Sequence, residues 1–337
     1  MRVLISAEPG QRAQTPVYSA GMAAAATQVR RTVLAVPGSS DRFLTKARGL
    51  QVDAVFLDLE DAVAPAAKAE ARGRIVRALA EQWRAPLLTV RVNDWSTEWT
   101  YADVIEVVSG AGERIDALVL PKVRSRDDVV ALDLILTQVE RVHGLEVGRI
   151  GIEAQIEDAR GLLNVEEIAG ASPRMRSLVF GPGDFMASVG MASTNVGEQP
   201  AGYDADAFHH VLFSILVAAR AHGLAAIDGP FVAIRDVDGF RRAARRSAAL
   251  GFDGKWVLHP DQVAAGNEIF TPARADFERS LRMVQAYAHA TAEAGGAVGA
   301  IVVDDEMVDE AGMKIAQRIV AKGRAAGLDA GAAEAGA

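Results

Sequence analysis

The sequence contains no cysteine and no long uncharged apolar segment. Because none of the 337 residues is a cysteine, disulfide bonds, thiolate metal ligands and a cysteine nucleophile are all excluded. No stretch approaches the roughly 18 apolar residues that a membrane-spanning helix needs, and the N-terminal segment lacks the apolar core of a signal peptide. We therefore expect a cytoplasmic protein with no membrane partner, whose chemistry relies on oxygen and nitrogen groups.

The chain also has no net positive charge and none of the common hydrolase motifs. The 36 Lys and Arg residues are outnumbered by 44 Asp and Glu residues, which gives a net charge of -8 and argues against nucleic acid as a partner. No Ser/His/Asp spacing or Gly-x-Ser-x-Gly elbow occurs, and the GPGDF segment at 181–185 lacks the Lys-Ser/Thr pair of a phosphate loop. These absences leave a small molecule as the expected substrate.

The sequence is rich in short apolar segments, predicted to be strands, that alternate with helical segments. Half of the residues are hydrophobic, enough for a large core. From Arg31 onwards, eight short strands rich in Val, Ile and Leu are each followed by a helical segment. This order predicts an α/β fold, a (β/α)₈ TIM barrel, with a doubly wound open sheet as the alternative.

Changes in the pattern divide the chain into four parts. Residues 1–30 show no periodicity and are predicted to be a loose N-terminal arm, whereas residues 31–270 carry the barrel. In residues 271–325 a long helical segment, a short strand AIVVDD and a last helix predict a C-terminal lid extension. The Gly/Ala-rich residues 326–337 are predicted to be a disordered tail.

Polar residues collect at the ends of the predicted strands. In a TIM barrel the C-terminal strand ends share one face, where active sites lie. The residues expected on this face are Asp58, Glu60, Asp61, Arg91, Asn93, Lys122, Glu157, Asp184, Asp228 and His259. So many carboxylates would repel one another unless cations neutralise them, and Mg²⁺ binds carboxylates together with water and substrate oxygens.

Glu157 and Asp184 are the predicted metal ligands because they follow successive strands. Glu153 is the alternative ligand: it lies on the same face of its strand as Glu157, but about 13 Å deeper at ~3.3 Å per residue. For any single aspartate in this set, a helix N-cap is the competing interpretation.

Arg91 and His259 each allow two interpretations. The guanidinium of Arg91 could bind a substrate carboxylate or stabilise an enolate oxygen, or it could form an ion pair with Glu60 or Asp61. A histidine side chain in general changes charge near neutral pH, and this property makes a catalytic role for His259 one interpretation. Its position before Pro260 at a strand end favours a role in fixing the turn.

Nine motifs in order resemble one enzyme family. They are RRTVLAVPGSSDRF, VFLDLEDAV, VRVN, LPKV, QIEDARGLLNVEEIA, FGPGDFMASVGM, IDGPF, GFDGKWVLHPDQV and EMVDEAGMKIAQ, spread over residues 31–322. The chain resembles the HpcH/HpaI aldolases and citrate lyase β-subunit-like CoA-ester lyases. Within them it is most similar to the malyl-CoA and β-methylmalyl-CoA lyases.

The resemblance implies an activity, a cofactor and an assembly. It implies reversible Claisen-type cleavage of a 3-hydroxyacyl-CoA into an acyl-CoA (acetyl-CoA or propionyl-CoA) and glyoxylate, so the partners are a CoA thioester and a 2-oxoacid. It also implies Mg²⁺ or Mn²⁺ held by Glu157 and Asp184, and a homotrimer or homohexamer. Citramalyl-CoA lyase, malyl-CoA thioesterase and a non-catalytic oligomeric scaffold are the alternatives.

The resemblance also assigns roles to single residues. It makes Arg91 the active-site arginine, and it places Asp309 as a catalytic lid aspartate in a neighbouring subunit's site, with Asp304 and Asp305 as competitors. The expected substrate contacts are Arg91, Glu60, Asp61 and Gly183, and the candidate contacts to the coenzyme A phosphates are Arg31, Arg42 and Lys46.

Overall fold

Eight parallel strands close into a barrel in the computed structural model, which describes residues 28–293 and 299–329. The strands are β1 (Thr32–Pro37), β2 (Ala54–Asp58), β3 (Leu87–Arg91), β4 (Ala117–Leu120), β5 (Gly151–Ile156), β6 (Met175–Phe180), β7 (Ala225–Asp228) and β8 (Gly254–Val257). Each strand pairs with the next, and β1 also pairs with β8, with Val33 opposite Trp256. The predicted TIM barrel is therefore confirmed, and the open sheet is excluded.

Helices surround the barrel and follow its strands in the predicted order. They are α1 (Asp41–Ala47), α2 (Lys68–Leu79), α3 (Thr100–Ala111), α4 (Arg126–Val142), α5 (Ala159–Leu163), α6 (Val165–Ala169), α7 (Pro182–Ser188), α8 (His209–Ala221), α9 (Val237–Leu250) and α10 (Pro260–Phe270). Side-chain caps mark several starts: Ser40 accepts a hydrogen bond from Phe43 N, and Asp158 accepts one from Gly161 N. These bonds satisfy amides that have no partner within the first helical turn.

Alternation along each strand separates two apolar layers. One set of side chains packs against the helices, and the other fills the barrel. The filling residues are Val33, Ala54, Phe56, Leu87, Val119, Val179, Ala225, Ile227 and Trp256. The ring centroids of Phe56 and Trp256 lie 4.1 Å apart. Because this apolar plug occupies the interior, inward-facing side chains beyond it gather at the C-terminal mouth.

Ion pairs hold the N-terminal base of the barrel. Arg30, which the division of the sequence assigned to the arm, is 4% exposed and pairs with Glu153. Arg31 bonds Asp53 at 2.8 Å and Thr271 at 2.9 Å. Glu153, the alternative metal ligand, therefore has a guanidinium as its partner. Residues 1–27 of the predicted arm lie outside the described residues.

The C-terminal extension forms a helix, a hairpin and a second helix. These are α11 (Arg274–Glu293), β9 (Ala300–Val303), β10 (Glu306–Asp309) and α12 (Glu310–Ala325). Phe277 and Leu281 of α11 pack with Val320 of α12. The prediction of one strand through AIVVDD was wrong, because the chain turns at Asp304 and Asp305, with φ of 51° and 64°, and returns as β10. Residues 330–337 of the predicted tail lie outside the described residues.

Within the described ranges, no helix combines the length and the apolarity needed to cross a membrane.

Candidate active site

Arg91 and Asp58 form the buried centre of the mouth. They lie opposite each other in the β2–β3 register, and the Nε and Nη2 atoms of Arg91 each donate to one Asp58 oxygen at 2.7 Å. The guanidinium carbon lies 5.4 Å from the ring centroids of both Phe56 and Trp256. Burial opposes both charges, but their mutual attraction prevails: it raises the pKa of Arg91 and lowers the pKa of Asp58.

Glu60 and Asp61 extend this cluster toward solvent. The Nη1 atom of Arg91 lies 2.8 Å from a Glu60 oxygen and 3.8 Å from an Asp61 oxygen. The Lys122 ammonium bonds the other Glu60 oxygen. Burial raises the pKa of Glu60 despite the two cations. The ion pairs considered for Arg91 are therefore present. Its closest partner is Asp58, which was expected on this face but not as the partner of Arg91, although the two residues lie opposite each other on β2 and β3.

Glu157 is a buried carboxylate held only by neutral donors. It is 1% exposed, and its two oxygens accept hydrogen bonds of 2.6 Å from the main-chain amide of Lys122 and from Gln155 Nε2. In the described part of the chain no cationic side chain lies within ion-pair distance of it. Burial and then the charges of Glu60 and Asp184 raise the pKa of Glu157 well above its ordinary value.

Asp184 lies in the turn after β6, near enough to Glu157 for its charge to raise the pKa of that carboxyl. It lies in the first turn of α7 and is exposed, and Gly183 precedes it. Gly181 lets the two segments approach closely, since a Cβ there would lie 2.5 Å from Glu157 Cβ and 2.8 Å from Gln155 Nε2. The structure thus brings the two predicted metal ligands together beside Arg91 and Glu60.

The donor set fits a hard divalent cation. The described residues contain no group of three His, Cys, Asp or Glu side chains arranged around a possible ion. Mg²⁺ needs no such group, because it keeps several waters and takes one or two carboxylates plus substrate oxygens. A buried carboxylate whose charge is opposed by its surroundings gains from a cation beside it. Glu157 and Asp184 therefore suit Mg²⁺ or Mn²⁺.

Buried polar groups fix the strand ends that carry the site. Lys68 of α2 donates to the carbonyl oxygens of Leu59 and Glu60 at 2.8 and 2.9 Å. Asn93 bonds the Leu59 carbonyl at 3.1 Å and the Asp103 carboxylate at 2.6 Å. Asn93, which was expected on the catalytic face, therefore supports the β2 and β3 loops.

Two residues expected at the mouth have other roles. Asp228 follows the inward-facing Ile227 and points outward, where it pairs with the fully buried Lys255 at 2.7 Å. Its inclusion among the converging residues was wrong, because alternation along β7 reverses its direction. His259 is the N-cap of α10 and accepts from Asp261 N at 3.3 Å, which fits the turn-fixing interpretation.

The candidate coenzyme A contacts are not brought together. Arg42 and Lys46 are exposed on α1, the helix that follows the mouth end of β1. Arg31 lies at the opposite, N-terminal end of β1, where Asp53 and Thr271 occupy its guanidinium. Of these three candidates, Arg42 and Lys46 are the two on the helix that begins near the mouth.

Asp309 lies on the C-terminal extension, which was predicted to form a lid. It is exposed and caps α12 by accepting from Gly312 N at 2.9 Å. Asp304 and Asp305 occupy the hairpin turn, and Asp304 pairs with Arg282 at 3.0 Å. Of the three lid aspartates, Asp309 is the one at a strand-to-helix junction.

This mouth, with a buried arginine and an excess of carboxylates at the end of a TIM barrel, is typical of enzymes that act on anionic substrates with a divalent cation. Residues 31–260 match the HpcH/HpaI aldolase/citrate lyase family, and the chain belongs to this family. It is 39% identical to the L-malyl-CoA/beta-methylmalyl-CoA lyase of Rhodobacter capsulatus, over 88% of this chain and 95% of that protein.

Two further relatives bear on the site. The (3S)-malyl-CoA thioesterase of Cereibacter sphaeroides is 36% identical over 88% of this chain and 95% of its own. The structure of CitE from Mycobacterium tuberculosis, in complex with magnesium, acetoacetate and coenzyme A, superposes with a TM-score of 0.67 at 27% identity. It covers 88% of this chain and 98% of that one.

Proposed function

We propose that the protein is a Mg²⁺-dependent CoA-ester lyase that reversibly cleaves malyl-CoA, or its methyl homologue, into acetyl-CoA or propionyl-CoA and glyoxylate. One observation carries the proposal: Glu157, a buried carboxylate with only neutral donors, lies near Asp184 and Arg91. The similarity to L-malyl-CoA/beta-methylmalyl-CoA lyase supports this choice of reaction.

Glu157 and Asp184 would hold the cation. When bound, Mg²⁺ or Mn²⁺ supplies Lewis-acid polarisation of the 2-oxoacid carbonyl and charge for its carboxylate. Gly183, next to Asp184 in the first turn of α7, would contact the same substrate. Glu60 and Asp61 would line the other side of the pocket.

Arg91 would stabilise the charge that develops as the carbon–carbon bond breaks. In the cleavage direction the 3-hydroxyl group would pass its proton to a carboxylate of the mouth, and its oxygen would become the glyoxylate carbonyl as the bond to the acyl α-carbon breaks. The electron pair of that bond forms the thioester enolate, which then takes up a proton at the α-carbon. A permanently charged guanidinium favours that oxygen anion. Asp58 holds the Nε and Nη2 atoms at 2.7 Å, so Nη1, which lies 2.8 Å from a Glu60 oxygen, is the nitrogen that would face the enolate.

Asp309 of a neighbouring subunit would move the proton at the α-carbon. Its exposure on the lid, away from the barrel core, supports a role across a subunit boundary. The hairpin also exposes an apolar cross-strand pair, Val302 at 73% and Met307 at 74%, a surface suited to burial against another chain. We therefore propose a homotrimer or homohexamer, located in the cytoplasm.

Coenzyme A would approach along α1. Arg42 and Lys46 are the cationic groups proposed to contact its phosphates, since both are exposed on the helix after β1. Arg31 is left out of this set because its ion pair with Asp53 holds it at the base.

A product assay tests the proposal. Malyl-CoA, methylmalyl-CoA and citramalyl-CoA are incubated with and without Mg²⁺, and the 2-oxoacid, the acyl-CoA and free CoA are quantified separately. We expect equal amounts of glyoxylate and acetyl-CoA from malyl-CoA, only with the metal. Pyruvate from citramalyl-CoA as the dominant product would favour a citramalyl-CoA lyase, and no turnover of any of them would favour a scaffold.

Malyl-CoA thioesterase is the second candidate. The relative of that name, at 36% identity, makes it a specific alternative that would use the same metal site. Hydrolysis releases malate and free CoA, so free CoA without glyoxylate would replace the lyase proposal with this one.

The shared site has its own test. Asp309→Ala should bind Mn²⁺ as the wild type does but lose turnover, because the lid lies away from the metal ligands. Mixing it with inactive Asp184→Ala subunits should restore some activity, since a mixed interface combines one intact barrel site with an intact lid. No recovery despite demonstrated subunit exchange, or a fully active monomer, would contradict the shared arrangement.

A further inference from the structure

Lys122 has a main-chain conformation that L-residues rarely adopt. It follows β4 and Pro121 with φ of 51°, in the left-handed region where a side chain costs roughly 1 kcal/mol or more relative to glycine. The turn directs its amide at Glu157, 2.6 Å from Oε1. A glycine would direct the same amide without strain, so the main chain alone does not explain why a lysine is present.

The side chain of Lys122 serves a second carboxylate. Its ammonium bonds Glu60 Oε1, and it lies 3.9 Å from an Asp61 oxygen and 4.0 Å from an Asp94 oxygen. The lysine side chain is 26% exposed, whereas the Glu60 side chain is only 5% exposed. The Nη1 atom of Arg91 lies 2.8 Å from the other Glu60 oxygen and forms an ion pair with it. Lys122 and Arg91 thus hold Glu60 between them.

We propose that Lys122 is a positioning residue that couples the metal-binding carboxylate to the substrate-facing carboxylate: its amide orients Glu157 and its ammonium orients Glu60. The inference rests on the proposed function, in which Glu157 holds the cation. Without the ammonium, Glu60 depends on Arg91 alone, and Arg91 also binds Asp58. The arginine edge that faces the substrate would then be drawn away from its position.

Removing the ammonium should lower turnover without weakening cation binding. The hydrogen bond to Glu157 comes from the main chain and remains in Lys122→Met, while the mouth gains one net negative charge. Cation binding should therefore stay equal or become tighter. Turnover should fall about 10–100-fold, the effect typical of losing a group that orients a metal-site residue.

The experiment compares Lys122→Met, Lys122→Arg and Lys122→Gly with Lys322→Met, which removes a lysine paired with Asp253 far from the mouth. The Mn²⁺ dissociation constant is measured by electron paramagnetic resonance titration, and kcat and KM are measured with malyl-CoA. We expect Lys122→Met to keep or tighten Mn²⁺ binding and lose kcat, and Lys122→Arg to recover most of kcat. Lys122→Gly should match Lys122→Met in kcat but unfold at a higher temperature, because its left-handed turn carries no side chain.

A general loss of structure would weaken Mn²⁺ binding and lower kcat together. That result, or kinetics of Lys122→Met equal to those of Lys322→Met, would overturn the role of Lys122 and leave the proposed function intact. The proposed function fails separately, if wild-type protein binds no Mn²⁺ or releases no glyoxylate.

Discussion

Charged side chains are paired differently at the two ends of the barrel. At the base, Glu153 has Arg30 and Asp53 has Arg31, one guanidinium for each carboxylate. At the mouth, Arg91 lies within ion-pair distance of three carboxylates, those of Asp58, Glu60 and Asp61. Lys122 also shares Glu60 and Asp61. In these two pairs at the base each carboxylate has its own guanidinium, whereas at the mouth the carboxylates outnumber the cations that they share.

This difference separates charges that maintain the fold from charges that serve chemistry. A buried pair of opposite charges is satisfied without any further group. A buried carboxylate without a cationic partner, such as Glu157, opposes folding, and such groups occur most often at functional sites. The comparison predicts that mouth variants lose function but keep stability, and that base variants do the reverse.

The largest effect should come from Glu157→Gln. We expect metal-dependent kcat to fall about 10³-fold, equivalent to ~4 kcal/mol, because a neutral amide is a poor ligand for Mg²⁺. The amide of Gln155 can reverse to pair with the new side chain, since its Oε1 is buried without a hydrogen bond. In EDTA the variant should therefore unfold at the same temperature as the wild type or a higher one. A clearly lower unfolding temperature would contradict the prediction that variants at the mouth keep their stability.

A smaller effect, on stability alone, is expected from Glu153→Gln at the base. It leaves the charge of Arg30 buried without its carboxylate, which should lower the free energy of unfolding by about 3 kcal/mol. Urea denaturation measures this change. Metal-dependent kcat per folded molecule should equal that of the wild type, so Glu153→Gln is also the matched control for Glu157→Gln. Reduced kcat in fully folded protein would show that the two ends are coupled.

The smallest of the three effects is expected from Arg91→Lys. Lysine keeps the charge but cannot bind both oxygens of Asp58 and reach Glu60 at once, so turnover should fall at least about tenfold, or ~1.4 kcal/mol. Steady-state kinetics with malyl-CoA and a thermal unfolding curve test this together. Unchanged kinetics would mean that Arg91 serves only as an ion-pair partner. The charges at the mouth would then maintain the fold, as those at the base do.

The eight strand–helix units could be predicted from the sequence, because their periodicity is local and each apolar strand is bounded by turns. β10 could not: EMVD is short, mostly exposed and charged, and it becomes a strand by pairing with β9. The turn between them uses Asp304 and Asp305 in the left-handed region, without the glycine that would have indicated a hairpin.

The direction of each strand-end side chain was only partly predictable. Glu157 and Arg91 were correctly expected at the mouth, whereas Asp228 was not an inward residue. The period of two would have revealed this, since Asp228 follows the inward Ile227. Its buried partner Lys255, two strand positions before the end of β8, gave no separate signal in an apolar segment.

The sequence by itself determined the eight units, the acidic strand ends and the absence of thiol chemistry, because these depend on residue type and short-range spacing. Only the tertiary structure decided which charges meet. Barrel closure places Arg30 beside Glu153 and Lys122 beside Glu60, pairs that are far apart along the chain. Charge pairing depends on distances of a few ångströms and on exclusion of water, and both arise when the strands close into one barrel.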